Sequence, residues 1–386
     1  MIGLAGEPCV SAALQTTRPR LALLRDLREE GWPSMDLCAD MLAGQLGAAE
    51  ADRLALLDVC PPMRRRVQRL PGILRRRLAF NADRLLNRMW DYPRHVRKIV
   101  NDAELFHVAD HSYAQLVHVL PAERAGVFCH DLDAFRCLLE PAREPRPRWF
   151  RAMARHILTG LQRAAVVFHS TRAVRDAILR HGIVDSARLV CAPYGFAPEF
   201  RPEPVAGKSA AAPYVLHVGS CIPRKRIDVL LGVFARLRQL LPALRLVKVG
   251  GEWTAEQRTL LAQPGLADGI DHVTGIDRHK LAALYRQARL VMMPSEAEGF
   301  GLPVLEALAC GAIVLASDLP VFREVGGDVA CYAPTGNVEA WTARALEILS
   351  DPDKAPLPSQ RLKWAERFTW RQHARTITDA YMELLR

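Results

Sequence analysis

Short apolar runs alternate along this chain with stretches in which apolar residues recur three and four positions apart. Leu21 to Leu24 is such a run, Gly31-Trp32-Pro33-Ser34 breaks the pattern, and Met35 to Leu46 repeats at helical spacing, which predicts strand, loop and helix in that order. The unit recurs, with strands predicted at Leu105 to Val108, Gly126 to Cys129 and Ala165 to His169, and helices over Trp149 to Ala164 and Ala173 to His181. Pro193 to Lys208 carries no sustained periodicity and reads as a connection between two domains. The alternation then restarts. Strands are predicted at Tyr214 to Val218, Leu244 to Val249, Val273, Leu290 to Met293 and Ile313 to Ala316, and helices over Asp228 to Leu240, Glu256 to Ala262, Lys280 to Ala288, Pro303 to Cys310 and Val338 to Leu349. Such alternation predicts an α/β protein with two doubly wound parallel sheets. A final amphipathic stretch, Trp370 to Leu385, has no strand after it.

A length of 386 residues suits two domains, each able to bury its own core. With 50% hydrophobic and 24% charged residues, the composition argues against a disordered or fibrous chain. No apolar run approaches the roughly 18 residues of a bilayer span, so an integral membrane protein is not expected. Met1 to Thr17 lacks a basic segment before an apolar stretch and reads as a disordered lead-in or an early start codon rather than a secretory signal. The nine cysteines form no CxxC and no Cys/His cluster, which predicts reduced thiols, a cytoplasmic chain and no metal site.

The net charge of +10 changes this picture at one place. Between Arg64 and Lys98 the arginines Arg64, Arg65, Arg66, Arg75, Arg76 and Arg77 are interleaved with Leu70, Ile73, Leu74, Leu78, Phe80, Leu85 and Trp90. Such a stretch suits peripheral contact with an anionic membrane face or, equally, a solvated helical face. Nucleic acid is not the expected partner, because no helix-turn-helix, zinc-finger or aromatic-platform pattern accompanies the charge.

The densest chemistry lies in Pro294-Ser-Glu-Ala-Glu298-Gly-Phe-Gly301-Leu-Pro-Val-Leu-Glu306-Ala-Leu-Ala-Cys-Gly311, which starts at the carboxyl end of a predicted strand and runs into a predicted helix. Ligands of open α/β sheets bind at that edge. Gly299 and Gly301 let backbone approach a ligand, and Pro303 opens a helix whose free amides favour phosphate. Glu298 and Glu306 can accept hydrogen bonds from sugar and ribose hydroxyls. A second group, Val218-Gly219-Ser220-Cys-Ile-Pro-Arg224-Lys225-Arg226, places cations after another strand end, as a diphosphate requires.

The Glu298 to Ala307 block resembles the EGFGLPxLEA block of retaining GT-B glycosyltransferases, especially glycosyltransferase family 4, with its E-x7-E pair. The resemblance implies two Rossmann-like domains facing across a cleft: residues 1–200 for the acceptor, residues 201–370 for a nucleotide-sugar donor, and the helix 371–386 packing back on the first. It implies that Glu298 contacts hydroxyls of the transferred sugar, Glu306 holds the ribose, and Phe300, Gly301 and Leu302 face phosphates and sugar. Gly219, Ser220, Arg224 and Lys225 match the family's diphosphate turn, with Ser220 where many members carry arginine. Gly250 follows a strand as in the family, and Gly275 and Ile276, ahead of the helix bearing Tyr285, are implied to lie near the base. Val127-Phe-Cys-His130-Asp131 resembles the family's His-Asp strand end, with His130 facing the sugar, and Pro193-Tyr194-Gly195 its connection, with Tyr in place of Asn. Gly31 to Ser34 stands where many relatives have Gly-Gly.

These matches imply a metal-independent, retaining hexosyltransferase without a cofactor, acting on a saccharide or lipid-linked acceptor in polysaccharide, glycolipid or glycan biosynthesis. The alternatives are an epimerase or phosphorylase on the same architecture, and a noncatalytic GT-B-like protein that binds nucleotide or a partner.

Overall fold

The computed structural model of the protein describes residues 18–69, 76–203, 212–263 and 265–386. The lead-in Met1 to Thr17, the Leu70 to Arg75 part of the basic stretch and residues 204–208 of the connection lie outside them. The first six strands are β1 (Arg20–Leu24), β2 (Ala55–Val59), β3 (Leu105–Val108), β4 (Ala125–Cys129), β5 (Val166–His169) and β6 (Leu189–Cys191). They form one sheet in the order β2-β1-β3-β4-β5-β6, every neighbouring pair parallel. Six more strands, β7 (Tyr214–Val218), β8 (Arg245–Val249), β9 (Ile270–Val273), β10 (Leu290–Met293), β11 (Val314–Ser317) and β12 (Cys331–Ala333), make a second parallel sheet ordered β12-β11-β10-β7-β8-β9. This is the expected α/β architecture of two doubly wound domains. In each sheet the strand order reverses beside the first strand, between β1 and β3 and between β7 and β10, which opens a crevice at the carboxyl edge.

The central strands are buried on both faces and largely apolar, as parallel sheets between helical layers demand. Every residue of β3, β4, β5, β10 and β11 is buried. The strands that pattern reading did not find are outer ones: β2, interrupted by the exposed Asp58, and the three-residue β6 and β12. A continuous apolar cluster runs through both domains, joining Leu21 and Phe128 of the first to Phe300 and Val304 of the second through Tyr194, Phe200, Trp370 and Tyr381.

The last helix, Trp370–Leu384, lies on the first domain. Its Tyr381 hydroxyl donates to the Phe106 carbonyl at 2.9 Å and sits 3.0 Å from His107 Nδ1, and Asp379 pairs with Arg53 at 2.7 Å. The chain thus crosses between domains twice, near Gly195 and near Thr369. At Gly195 the Cα is pressed on the backbone of Thr369 and Trp370, where a methyl group would collide. His373 Nδ1 donates to the Ala192 carbonyl at 3.0 Å and ties the crossing together.

Candidate active site

The loops after β7 and β10 converge. After β7 comes a 3-10 turn, Pro223–Lys225, and Arg226 then takes a left-handed conformation (φ 49°) before the helix Ile227–Leu240. Left-handed backbone is uncommon outside glycine and persists where surroundings impose it. Here Arg226 bonds Asp228 and reaches Glu296, and the Glu296 amide donates to the Arg224 carbonyl at 2.8 Å, so the two loops are stitched together.

The stitch brings both cations to one carboxylate. Lys225 Nζ lies 2.5 Å from Glu298 Oε1, Arg224 Nη1 lies 3.5 Å from Oε2, and the buried Ser295 hydroxyl donates to Oε1 at 2.8 Å. Burial alone would raise the Glu298 carboxyl. Lys225 and Arg224, with the hydrogen bonds from Lys225 and Ser295, outweigh it and hold the group below the ordinary range. Arg224 also reaches across the domain boundary, with Nε 3.2 Å from Asp133 and Nη2 3.7 Å from Asp131. A cavity of about 390 Å³ lies beside this cluster, lined by residues of both domains including Asp131, Asp133, Arg224, Glu298 and Val321.

Gly299 docks the loop after β10 on the first domain. Its carbonyl accepts from the Ser170 and Thr171 hydroxyls at 3.3 and 3.0 Å, beyond the end of β5, and its Cα is packed against the His130 carbonyl with no room for a side chain. Gly301 follows at φ 94° and caps the helix Leu302–Ala309, while Leu302 is half-buried at the first helical position. The Phe300 ring is buried at the domain junction, edge-on to Tyr194 at 5.1 Å.

Glu306 sits one turn into that helix, 6% exposed, and accepts from the Tyr285 hydroxyl at 3.0 Å. Burial pushes its carboxyl up to about 7; Tyr285 and the more distant Arg278 only moderate the shift, and Glu199 adds to it. Gly219, Ser220 and Gly250 lie at the carboxyl ends of β7 and β8. Gly219 N–H donates to Val249 and Gly250 N–H to Val273. Gly275 lies after β9 at φ 67°, and Ile276 beside it packs on the core.

Both ring nitrogens of His130 are engaged within the protein, Nδ1 with the Tyr194 hydroxyl and Nε2 with the Ala109 carbonyl at 2.9 Å. Burial lowers the ring's affinity for a proton, against the opposing pull of Asp110. His130 therefore meets the loop after β10 through its carbonyl rather than its ring.

Several members of the cluster escaped pattern reading. Lys248 is fully buried, and its ammonium donates to the carbonyls of Gly219 and Gly250, fixing the turns after β7 and β8. A lysine inside an otherwise apolar strand was the available signal. Asp26, after β1, and Asp110, after β3, form a coupled buried pair: burial and the Asp110 charge push Asp26 up, whereas His111 and His130 overcome burial to hold Asp110 at about 2. Among the described residues no three His, Cys, Asp or Glu side chains converge as a metal-holding set.

Two six-stranded doubly wound domains, with a carboxylate, cations and glycine-hinged loops at the junction, define the class: a GT-B glycosyltransferase fold. Residues 203–367 match the family described as glycosyl transferases group 1. The O-antigen chain mannosyltransferase B of Escherichia coli is 30% identical over 275 residues, 67% of this chain and 70% of that one. The chain belongs to the glycosyl transferases group 1 family. A D-inositol 3-phosphate glycosyltransferase of Stackebrandtia nassauensis is 35% identical over 185 residues, 42% of this chain and 40% of its own length. Similar solved folds include sucrose-phosphate synthase from Thermosynechococcus elongatus (TM-score 0.73, 21% identity, 95% of this chain and 99% of that one) and Anabaena HepE in complex with UDP and glucose (TM-score 0.72, 16% identity, 95% and 100%). Among the described residues no helix is long and apolar enough to cross a membrane.

Proposed function

We propose that this glycosyltransferase moves a hexosyl unit from a nucleoside diphosphate sugar to an acceptor hydroxyl, with retention at the anomeric carbon and with its own cations serving where other enzymes use a metal ion. The observation that carries the reading is the convergence of Arg224 and Lys225 on Glu298 at the carboxyl edge of the second sheet. The donor diphosphate takes over these two cations, and Glu298, released from them, accepts from hydroxyls of the sugar. Glu306 holds the ribose, and the amides around Gly301 and Leu302 face the phosphates. The Gly219, Ser220 and Gly250 turns line the diphosphate, and Gly275 and Ile276 the base.

As the bond from the anomeric carbon to the phosphate oxygen breaks, negative charge grows on the diphosphate, where Arg224 and Lys225 stabilise it without reorganising. The acceptor oxygen attacks from the same face, its proton passes to the departing phosphate oxygen, and the nucleoside diphosphate leaves. His130 and Asp131 border the sugar from the first domain. The acceptor is a saccharide or a lipid-linked saccharide of a glycan or polysaccharide assembly pathway, in keeping with the mannosyltransferase and inositol-phosphate relatives. Contact with an anionic membrane face runs through Arg77, Arg84 and the exposed Leu78, Leu85 and Leu86 of the helix Arg76–Leu86. Equal flotation with neutral and anionic vesicles would refute that contact.

The donor assignment is tested by thermal shift against UDP, GDP, ADP and their sugar conjugates, since a ligand bound only to the native state raises its stability. One nucleotide should give a selective shift that Glu306→Ala and Lys225→Ala abolish. No shift with any of them would favour the noncatalytic alternative.

A further inference from the structure

A second cavity, of about 900 Å³, lies in the first domain and away from the Glu298 cluster. It opens at the carboxyl ends of β1 and β2, with Leu27 and Pro61 to Met63 on one wall and Trp90 to Lys98 on the other. Six cationic side chains line it, Arg64, Arg65, Arg66, Arg69, Arg94 and Lys98, against the single carboxylate of Asp91. Asp91 is taken by Arg66 in a two-pronged pair at 2.6 and 2.8 Å. Arg65, Arg69, Arg94 and Lys98 have no ion-pair partner among the described residues.

Charged runs at protein surfaces are ordinarily mobile and solvated, but this one is held. The Asp83 carboxylate, fully buried, accepts from the backbone amides of Arg66, Val67 and Gln68 at 2.9, 2.8 and 3.0 Å. Asn87, 2% exposed, accepts from the Arg64 amide and donates to the Arg64 carbonyl. Two buried polar groups thus fix the backbone that carries four arginines, so part of the ordering entropy of a cation cradle is met on folding. The opposite wall starts with a π-helical turn, Asn87–Asp91, a geometry that recurs at functional sites. That turn presents the Trp90 ring, 57% exposed, with the Arg94 guanidinium 3.6 Å from its centroid.

We infer that this cavity binds the phosphate or diphosphate ester of an anionic acceptor, an inference that rests on the transferase reading above. Arginine forks suit phosphate oxygens, and Trp90 offers a flat apolar face to the adjoining sugar or hydrocarbon. Position supports the assignment. The cavity opens at β1 and β2 and the donor loop docks beside β4 and β5, so at about 4.8 Å per strand the anion lies roughly 15 Å along the sheet edge from the transfer site. An acceptor spanning that distance carries its anion at least one sugar unit away from the reacting hydroxyl.

Calorimetric titration at low ionic strength tests the inference, using full-length Arg224→Ala/Lys225→Ala protein to blank the donor site. Inorganic pyrophosphate, a hexose 1-phosphate and farnesyl diphosphate are the probes. Diphosphate binding should persist in this protein and weaken about tenfold or more when Arg65→Ala and Arg69→Ala are added. Tighter binding of farnesyl diphosphate than of pyrophosphate identifies a lipid-linked acceptor, and the reverse order, with the hexose 1-phosphate retained, a water-soluble one. Diphosphate binding that is absent from the blanked protein, or unchanged by the Arg65 and Arg69 substitutions, overturns the inference. So does loss of flotation on anionic vesicles with soluble diphosphate binding intact, which would make the arginines a membrane contact. An Arg65→Ala/Arg69→Ala protein with native donor residues should keep its nucleotide-induced thermal shift, so a failed cavity and a failed donor reading give different results.

Discussion

Replacing Glu306 by Gln isolates what a buried carboxyl costs this fold. Burial raises the group from its ordinary 4.5 to about 7, with Tyr285 as its hydrogen-bond donor and Arg278, Glu199, Cys38 and Cys310 as its other titratable surroundings. Cys38, Cys310 and Tyr285 are themselves pushed up by burial and stay neutral through this range. Because the folded value lies above the unfolded one, the native state holds its proton more tightly. The associated stability is present below pH 4.5 and is lost as pH rises through about 7. At about 1.4 kcal/mol per pK step, ionised Glu306 costs the fold about 3 kcal/mol at pH 8.5. Gln is neutral at every pH but leaves an amide N–H without a partner, at about 1 kcal/mol. Glu306→Gln should therefore stabilise the protein by about 2 kcal/mol at pH 8.5, some 4 to 8 °C in Tm for a domain of this size, and by close to nothing at pH 5. Scanning calorimetry at the two pH values measures it, and an equal change in Tm at both would refute the reasoning. If Glu306 holds the ribose as proposed, the same substitution should also weaken binding of the nucleotide sugar.

Three further outcomes follow from other contacts. Lys225→Ala leaves Glu298 short of its nearest cation and should lower turnover roughly 10²- to 10³-fold, while Lys225→Met with Glu298→Gln should unfold at a higher urea midpoint than Lys225→Ala alone. Gly299→Ala drives a methyl group into the His130 carbonyl and should part the domains, seen as a larger radius of gyration in small-angle scattering together with reduced kcat. Tyr381→Phe removes the hydroxyl that donates to Phe106 and should cost about 1 kcal/mol in urea denaturation without altering donor binding.

The central strands were legible because parallel strands buried on both faces must be apolar over four or five residues; β4 and β10 meet that demand throughout, and β3 and β11 with one polar residue each, His107 and Ser317. The outer strands were not, since β2 carries Asp58 and β6 and β12 are too short to show a pattern. Glu298, Glu306, Arg224 and Lys225 announced themselves by their place between strand ends and glycines. What no local pattern conveyed was pairing over distance. Asp131 and Asp133 meet Arg224 from the other domain, and Asp83 and Asn87 turn an arginine run into the wall of a cavity. Each depends on residues far apart in the chain, and the sign of a charge says nothing about its partner.

The crossing at Gly195 has a mechanical consequence. Two covalent links join the domains, and they lie backbone on backbone where Gly195 meets Thr369 and Trp370. A rotation of one domain on the other about that contact would move the groups beside it, Tyr194, Phe300 and Trp370, little, and groups at the far rim in proportion to their distance from it. On the function proposed above, a diphosphate that draws Arg224 away from Asp131 and Asp133 would loosen one of the ties between the domains, beside those from Ser170 and Thr171 to the Gly299 carbonyl. On that reading, the arrival of the donor would act directly on a contact that holds the domains together.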